Sequence, residues 1–192
     1  MAKKSGGKIV FNSPVTLWFS GICLLALLLS MLTGGRSNQL IFSVYRSSLA
    51  DPLTYVRFFG HICGHASFQH FMNNMMYILL LGPMLEEKYG KNDMILVILS
   101  TALVTGLINF ILFPHNAFLG ASGVVFAFIL LSSFTGLKDG KIPVTFIMVA
   151  CLYIGQEVWN GITVKDNVSN FTHIVGGIVG SAFGFAESRN RR

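Results

Sequence analysis

Gly120-Ala121-Ser122-Gly123 follows the short loop Pro114 to Leu119 and opens an apolar run. A serine at a helix start is ordinarily a cap. Here the flanking glycines let another backbone approach within contact distance, and the free N–H groups of the first helical turn face any oxyanion formed there. This is not the nucleophile elbow of α/β-hydrolases, which needs Gly-x-Ser-x-Gly after a strand; position 124 is Val and no strand precedes it. His61, His65, His70, Asn73 and Asn74 gather at the start of another apolar run. With Ser67 as N-cap, His70 falls in the first turn and Asn74 four residues on, on the same helical face, so the two converge as donors on one point. Asn73 points elsewhere, and His61 and His65 lie at or before the helix start. The plainer role for such imidazoles and amides is to join helices by hydrogen bonds. His173 opens a third run and is followed at four-residue spacing by Gly176, Gly180 and Gly184, a close-packing stripe. It lies one turn before the first of these glycines, so a helix packed through them carries its histidine to a group on the partner helix.

A hydroxyl, an imidazole to take its proton and donors for an oxyanion are the parts of an acyl transfer. No carboxylate is expected at the same depth to orient the imidazole. Asp51 and Asp166 are loop residues, and Glu157 falls near an outer segment end, apart from the His173 turn. A hydrolase built this way works with a Ser-His dyad.

These residues need a scaffold, and the composition says what kind. Of 192 residues, 53% are apolar and only 11% charged, with a mean hydropathy of +0.63, whereas a soluble chain carries about 25% charged residues. The 14 Lys and Arg and 8 Asp and Glu are confined to short stretches between apolar runs. This excludes a water-soluble globule. The net charge of +6 forms no basic stripe on a soluble fold, which argues against nucleic-acid binding. Cys23, Cys63 and Cys151 are odd in number, far apart and set in apolar sequence; they fit neither a disulfide framework nor a CxxC site and read as packing residues.

A spanning helix needs about 20 mostly apolar residues. Six segments qualify, about 15–33, 68–85, 94–113, 122–137, 143–158 and 172–186, making residues 1–192 a single all-α, polytopic membrane domain. The first follows Lys3, Lys4 and Lys8 but outlasts a signal-peptide core and precedes no Ala-x-Ala-like site, so it reads as an uncleaved helix. Lys3, Lys4, Lys8, Lys88, Lys91, Lys138, Lys141, Arg189, Arg191 and Arg192 fall on one side of the membrane, against Arg36, Arg46, Arg57 and Lys165 on the other. The cationic side is cytoplasmic, so both termini face the cytoplasm. The second, fourth and sixth helices then all start at the outer face, which puts His70, Ser122 and His173 near a first turn at similar depth. Between the first two helices, Gly34 to Ser67 is long for a bundle connection and too apolar for a solvated loop. Its Leu40, Ile41, Phe42, Val44, Tyr45, Tyr55, Phe58 and Phe59, mixed with Arg46 and Arg57, predict a structured element in the outer interface, the alternative being an ordinary loop.

At this point the chain resembles the rhomboid family of intramembrane serine proteases, in its minimal six-helix bacterial form, over most of its length. His65-x4-His70-x3-Asn74, Gly120-Ala-Ser122-Gly123, and His173 followed by Gly176 and Gly180 resemble that family's motifs in order, spacing and topology. Arg57 looks like the arginine of its first-loop motif, and Gly82 with Glu86 resembles the pair closing its second helix. The resemblance implies a rhomboid-like bundle with a membrane-associated first loop. It implies Ser122 as nucleophile, His173 as general base, and an oxyanion hole of the Ser122 amide, His70 and Asn74, with Gly120, Gly123, Phe126 and His65 in support. It further implies cleavage of membrane-anchored proteins near the outer face of a bacterial inner membrane, with the fifth helix and first loop as access elements. No cofactor, metal or nucleic acid enters that chemistry; the partners are the substrates and the lipid bilayer. Two positions depart from the family pattern: Val56 stands where tryptophan is common and Phe126 where tyrosine is common. Neither removes a catalytic group.

The rival reading is a non-enzymatic transporter or metal-binding protein with His61, His65, His70 and His173 as ligands or proton relay. It leaves the Gly-Ala-Ser-Gly motif and the glycine stripe without a role, and HExxH is absent. Hydrolysis needs water, so the site is expected to be a cavity open to the outside and lined by His65, His70, Asn74, Ser122 and His173.

Overall fold

The computed structural model describes residues 11–135, 144–163 and 167–190. Lys3, Lys4, Lys8, Lys138, Lys141, Lys165, Asp166, Arg191 and Arg192 lie outside them, as do residues 136, 137 and 143 at the expected ends of the fourth and fifth spans.

Among the described residues the regular elements are all helices, apart from one isolated bridge. In chain order they form α1 (Pro14–Leu32), α2 (Arg36–Leu40), α3 (Pro52–Gly60), a 3₁₀ turn (His61–Cys63), α4 (Phe68–Tyr89), α5 (Lys91–Leu112), α6 (Ser122–Ser132), α7 (Val144–Thr163) and α8 (Asn167–Asn190). Each expected apolar segment coincides with a helix, and the differences lie at the ends. α4 runs on through Glu86, Glu87 and Lys88, good helix formers that hydropathy discounts, and stops where Gly90 takes φ +89°. α8 begins at Asn167, ahead of its apolar part, so His173 stands in the second turn and not the first. Hydropathy delimits the apolar part of a helix, whereas hydrogen bonding sets its length. α1 and α5 are each long and apolar enough to cross a membrane, and α6 is a shorter apolar helix.

One core runs through the bundle: Cys23 of α1, Ile78 and Leu85 of α4, Met94 and Val97 of α5, and Phe128 and Leu131 of α6 are fully buried. The outward faces are apolar too, with Trp18, Leu25, Leu80, Leu96 and Ile178 exposed. A surface of that kind is stable only against an apolar medium.

Two devices set the helices in register. α1 starts at Pro14 with no capping side chain of its own. The buried carboxylate of Glu86 supplies the cap from α4, accepting from the Val15 and Thr16 N–H groups at 3.0 Å and from the Thr16 hydroxyl at 2.9 Å. An acceptor with negative charge at a helix N-terminus satisfies orphan donors and complements the helix dipole. Gly82, one turn earlier on α4, makes room for it, since a Cβ there would lie 2.5 Å from Thr16 Cγ2.

The stretch between α1 and α4 is an ordered structure, so the ordinary-loop alternative fails. Buried Arg57 organises it: its Nε donates to the Leu40 carbonyl at 2.9 Å, Nη1 pairs with Asp51 at 3.0 Å, and the guanidinium lies 4.7 Å from the centre of the Tyr45 ring. Val44 and Phe118 exchange two backbone hydrogen bonds of 2.9 Å, joining this stretch to the segment that leads into α6.

Candidate active site

Ser122 is the first residue of α6, and the position before it, Ala121, has no side chain able to cap. Its N–H is therefore among the first-turn donors that have no intrahelical acceptor. Gly120 reaches this point with φ +137°, a conformation that favours glycine. Its N–H is held at 2.9 Å by the carbonyl of His61, so the 3₁₀ turn fixes the approach to α6. A Cβ on Gly120 would lie 2.8 Å from both Cε1 and Nε2 of His70 and 3.9 Å from Ser122 Oγ. The serine hydroxyl and the His70 ring thus border one small space, which is open because residue 120 has no side chain.

His70 is placed by its own helix start. Ser67 caps α4, its hydroxyl accepting from the His70 N–H at 3.1 Å, as its position implied. Asn74, four residues on, is buried and its Nδ2 has no hydrogen-bond partner among the described residues, leaving a donor with unused capacity beside His70. The His65 ring stands edge-on to His70, centroids 5.1 Å apart. It is held by Cys63, whose carbonyl lies 3.1 Å from Nδ1. Burial, with His70 as neighbour, pushes the His65 pKa down to about 4, so this ring is neutral near pH 7.

His173 arrives on α8 by backbone contact. A Cβ on Gly176 would lie 2.2 Å from the Gly123 carbonyl oxygen, one on Gly180 2.2 Å from that of Ala127, and one on Gly184 2.6 Å from Phe134 Cδ2. Only glycines allow α8 to lie so close to α6. Because the Gly176 contact falls on the residue after Ser122, the preceding turn of α8 delivers His173 beside the start of α6. Its ring stacks on Phe126, centroids 4.4 Å apart and planes within 8°. Gly123 faces Thr105 and Thr101 of α5, 3.4 and 3.6 Å from where its Cβ would be.

His61, which the sequence places at or before a helix start and offers as a ligand in the rival reading, is fully buried beneath the site. Its Nε2 lies 3.0 Å from the Ala102 carbonyl and 3.4 Å from the Thr105 hydroxyl. A carbonyl only accepts, so Nε2 carries the proton and the ring is neutral; burial pushes its pKa down to about 4. α5 also brings polar groups that went unremarked in the sequence. Thr101, Thr105 and Asn109 share one face at four-residue spacing, all buried. Among the described residues neither end of the Asn109 amide nor the Thr101 hydroxyl has a partner. An amide within an apolar run was the available signal. Among the described residues no three His, Cys, Asp or Glu side chains converge in a metal-binding arrangement.

Residues 52–190 match the sequence model of the Rhomboid domain. An all-helical fold with a serine at one helix start, histidines on two neighbouring helices and a matching domain model defines the class: the chain belongs to the rhomboid family. Among named relatives, it is 28% identical over 188 residues to the rhomboid protease GlpG of Salmonella choleraesuis (strain SC-B67), covering 93% of this chain and 65% of that protein. It is 27% identical, with the same coverage, to the rhomboid protease GlpG of Salmonella typhi. The chain thus spans just under two thirds of the length of these relatives.

Proposed function

We propose that the chain is an intramembrane serine endopeptidase, cleaving membrane-anchored proteins in or near their transmembrane segments with a Ser122–His173 dyad. The observation that carries this reading is the placement of Ser122 Oγ and the His70 ring around the space left by Gly120, with the Gly176–Gly123 contact bringing His173 to the same end of α6. The names of the relatives support it.

In this reaction Ser122 Oγ attacks the scissile carbonyl carbon while His173 takes its proton. The Ser122 N–H, His70 and Asn74 Nδ2 donate to the oxyanion of the tetrahedral intermediate. As the intermediate collapses, His173 returns the proton to the leaving amine, and water then hydrolyses the acyl-serine by the same steps. Phe126 takes the part of a carboxylate only in orientation: its ring fixes the plane of His173 by stacking and adds no charge. The bundle crosses a bacterial inner membrane six times, through α1, α4, α5, α6, α7 and α8, with both termini cytoplasmic and the site opening outward. Positive charge concentrated between alternate helices supports that orientation. Substrates with small residues and weak helical propensity at the scissile bond suit a backbone cleft between Gly120 and Gly123.

The test is cleavage of a reporter transmembrane substrate together with labelling by a fluorophosphonate. Ser122→Ala is expected to abolish both, His173→Ala to abolish cleavage, and the double variant to be little worse than either single one, as for residues that act as a unit. Cleavage retained by Ser122→Ala refutes the mechanism.

A further inference from the structure

The fold brings together two cysteines that are 40 positions apart in sequence. Cys23 lies midway along α1, fully buried, and its thiol points at the Ile62 carbonyl at 3.8 Å. The next residue is Cys63, the last of the 3₁₀ turn; it is partly exposed and packs against the core cluster that contains Cys23. The Ile62 contact thus sets the Cys23 thiol beside the backbone from which the Cys63 side chain springs. Cys151, on α7, is exposed and takes no part in the pair.

We propose that Cys23 and Cys63 form a reversible disulfide that staples α1 to the 3₁₀ turn carrying His61 and leading to His65. The oxidant is a disulfide of the extracytoplasmic space, where such bonds persist. Partly exposed Cys63 reacts first: its thiolate attacks the oxidant RS–SR, forming a Cys63–SR mixed disulfide and expelling RS⁻. The Cys23 thiol then gives its proton to RS⁻ as its sulfur attacks the Cys63 sulfur, closing the Cys23–Cys63 bond and expelling the second RS⁻. The two cysteine sulfurs are oxidised, the oxidant is reduced to two thiols, and the two thiol protons leave with them. The neighbouring Cys23 thiol, whose effect outweighs burial, lowers the Cys63 pKa from its ordinary value and so favours the attacking thiolate.

The position gives the bond its consequence. Successive carbonyls of the turn tie it to the site: that of His61 holds the Gly120 N–H, that of Ile62 faces Cys23, and that of Cys63 faces the His65 ring. A crosslink here restrains that whole set and closes a loop of about 40 residues, removing entropy from the unfolded chain.

The experiment uses the full chain in membranes with Cys151→Ser, which removes the exposed thiol. After equilibration with oxidised glutathione, the protein is denatured, labelled with a maleimide-polyethylene glycol and run without reductant. The expected result is loss of both labelling sites at monomer size, their return on reduction, and a tryptic fragment joining the Cys23 and Cys63 peptides by mass spectrometry. The oxidised form is expected to unfold roughly 5–10 °C higher. With Cys23→Ser added, Cys63 is expected to stop at the glutathione adduct. The proposal is overturned if both thiols stay reactive under conditions that oxidise the denatured chain, if Cys63 remains glutathionylated although Cys23 is present, or if only intermolecular dimers form. None of these readouts depends on peptidase activity, so their failure leaves the proposed function standing, and the reverse.

Discussion

Replacing Gly176 by alanine separates a positioning role for the glycine stripe from a merely structural one. The added Cβ would sit 2.2 Å from the Gly123 carbonyl oxygen, 2.8 Å from its carbonyl carbon and 2.9 Å from its Cα. All three are backbone atoms of α6, so no rotamer relieves the clash. Restoring a contact of 3.0–3.4 Å needs α8 to withdraw by about 1 Å. His173 lies three residues before Gly176 on the same face and moves with it. A misplacement of about 1 Å in a catalytic pair costs roughly 10²-fold in rate, and overpacking of this kind costs about 1–3 kcal/mol in stability. The neighbouring glycine is the control: a Cβ on Gly177 would meet Leu130 Cγ at 3.5 Å, an ordinary contact with a side chain. In a purified preparation, reporter cleavage by Gly176→Ala is expected to fall about 100-fold, with a lowered unfolding midpoint, and Gly177→Ala to stay within about twofold of the parent. Rates should be compared well below the variant's midpoint, so that lost folding is not counted as lost chemistry. Full activity in Gly176→Ala, or equal losses in both variants, would refute the link between the stripe and the dyad.

Gly120→Ala combines a strained φ of +137° with a Cβ 2.8 Å from the His70 ring, and cleavage by the folded protein is expected to drop by at least about 10², the typical loss of one oxyanion donor. Glu86→Ala leaves the Val15 and Thr16 N–H groups and the Thr16 hydroxyl without their acceptor; the expected loss of about 2 kcal/mol or more would be read as a lower unfolding midpoint, and an unchanged midpoint would contradict the cap. Because burial lowers the folded pKa of His61 to about 4 against 6.5 unfolded, the unfolded chain binds the proton first as pH falls. The associated stability, about 3 kcal/mol, is complete above pH 6.5 and is lost between 6.5 and 4. The unfolding midpoint should therefore fall across that window and fall less in His61→Gln; equal slopes would refute the assignment.

The period and length of the apolar runs determined the helices, because burial in an apolar medium depends on composition over a window and is indifferent to the partner. Ser67 as cap, the shared face of His70 and Asn74, and the close-packing role of Gly176, Gly180 and Gly184 followed from helical geometry alone. The helix ends did not, since Asn167, Ser169 and Asn170 and Glu86 to Lys88 are polar residues held in helices by backbone hydrogen bonds that hydropathy does not register. Only the tertiary structure decided which glycine meets which backbone, and hence that α8 presents His173 to the start of α6. Only it showed that Glu86 caps a helix 70 residues away, that His61 holds Gly120 by a carbonyl, and that Cys23 meets the Ile62 carbonyl next to Cys63. Each of these is a contact between residues distant in the chain, fixed by how rigid helices pack together, and no local pattern in either partner encodes its distance to the other.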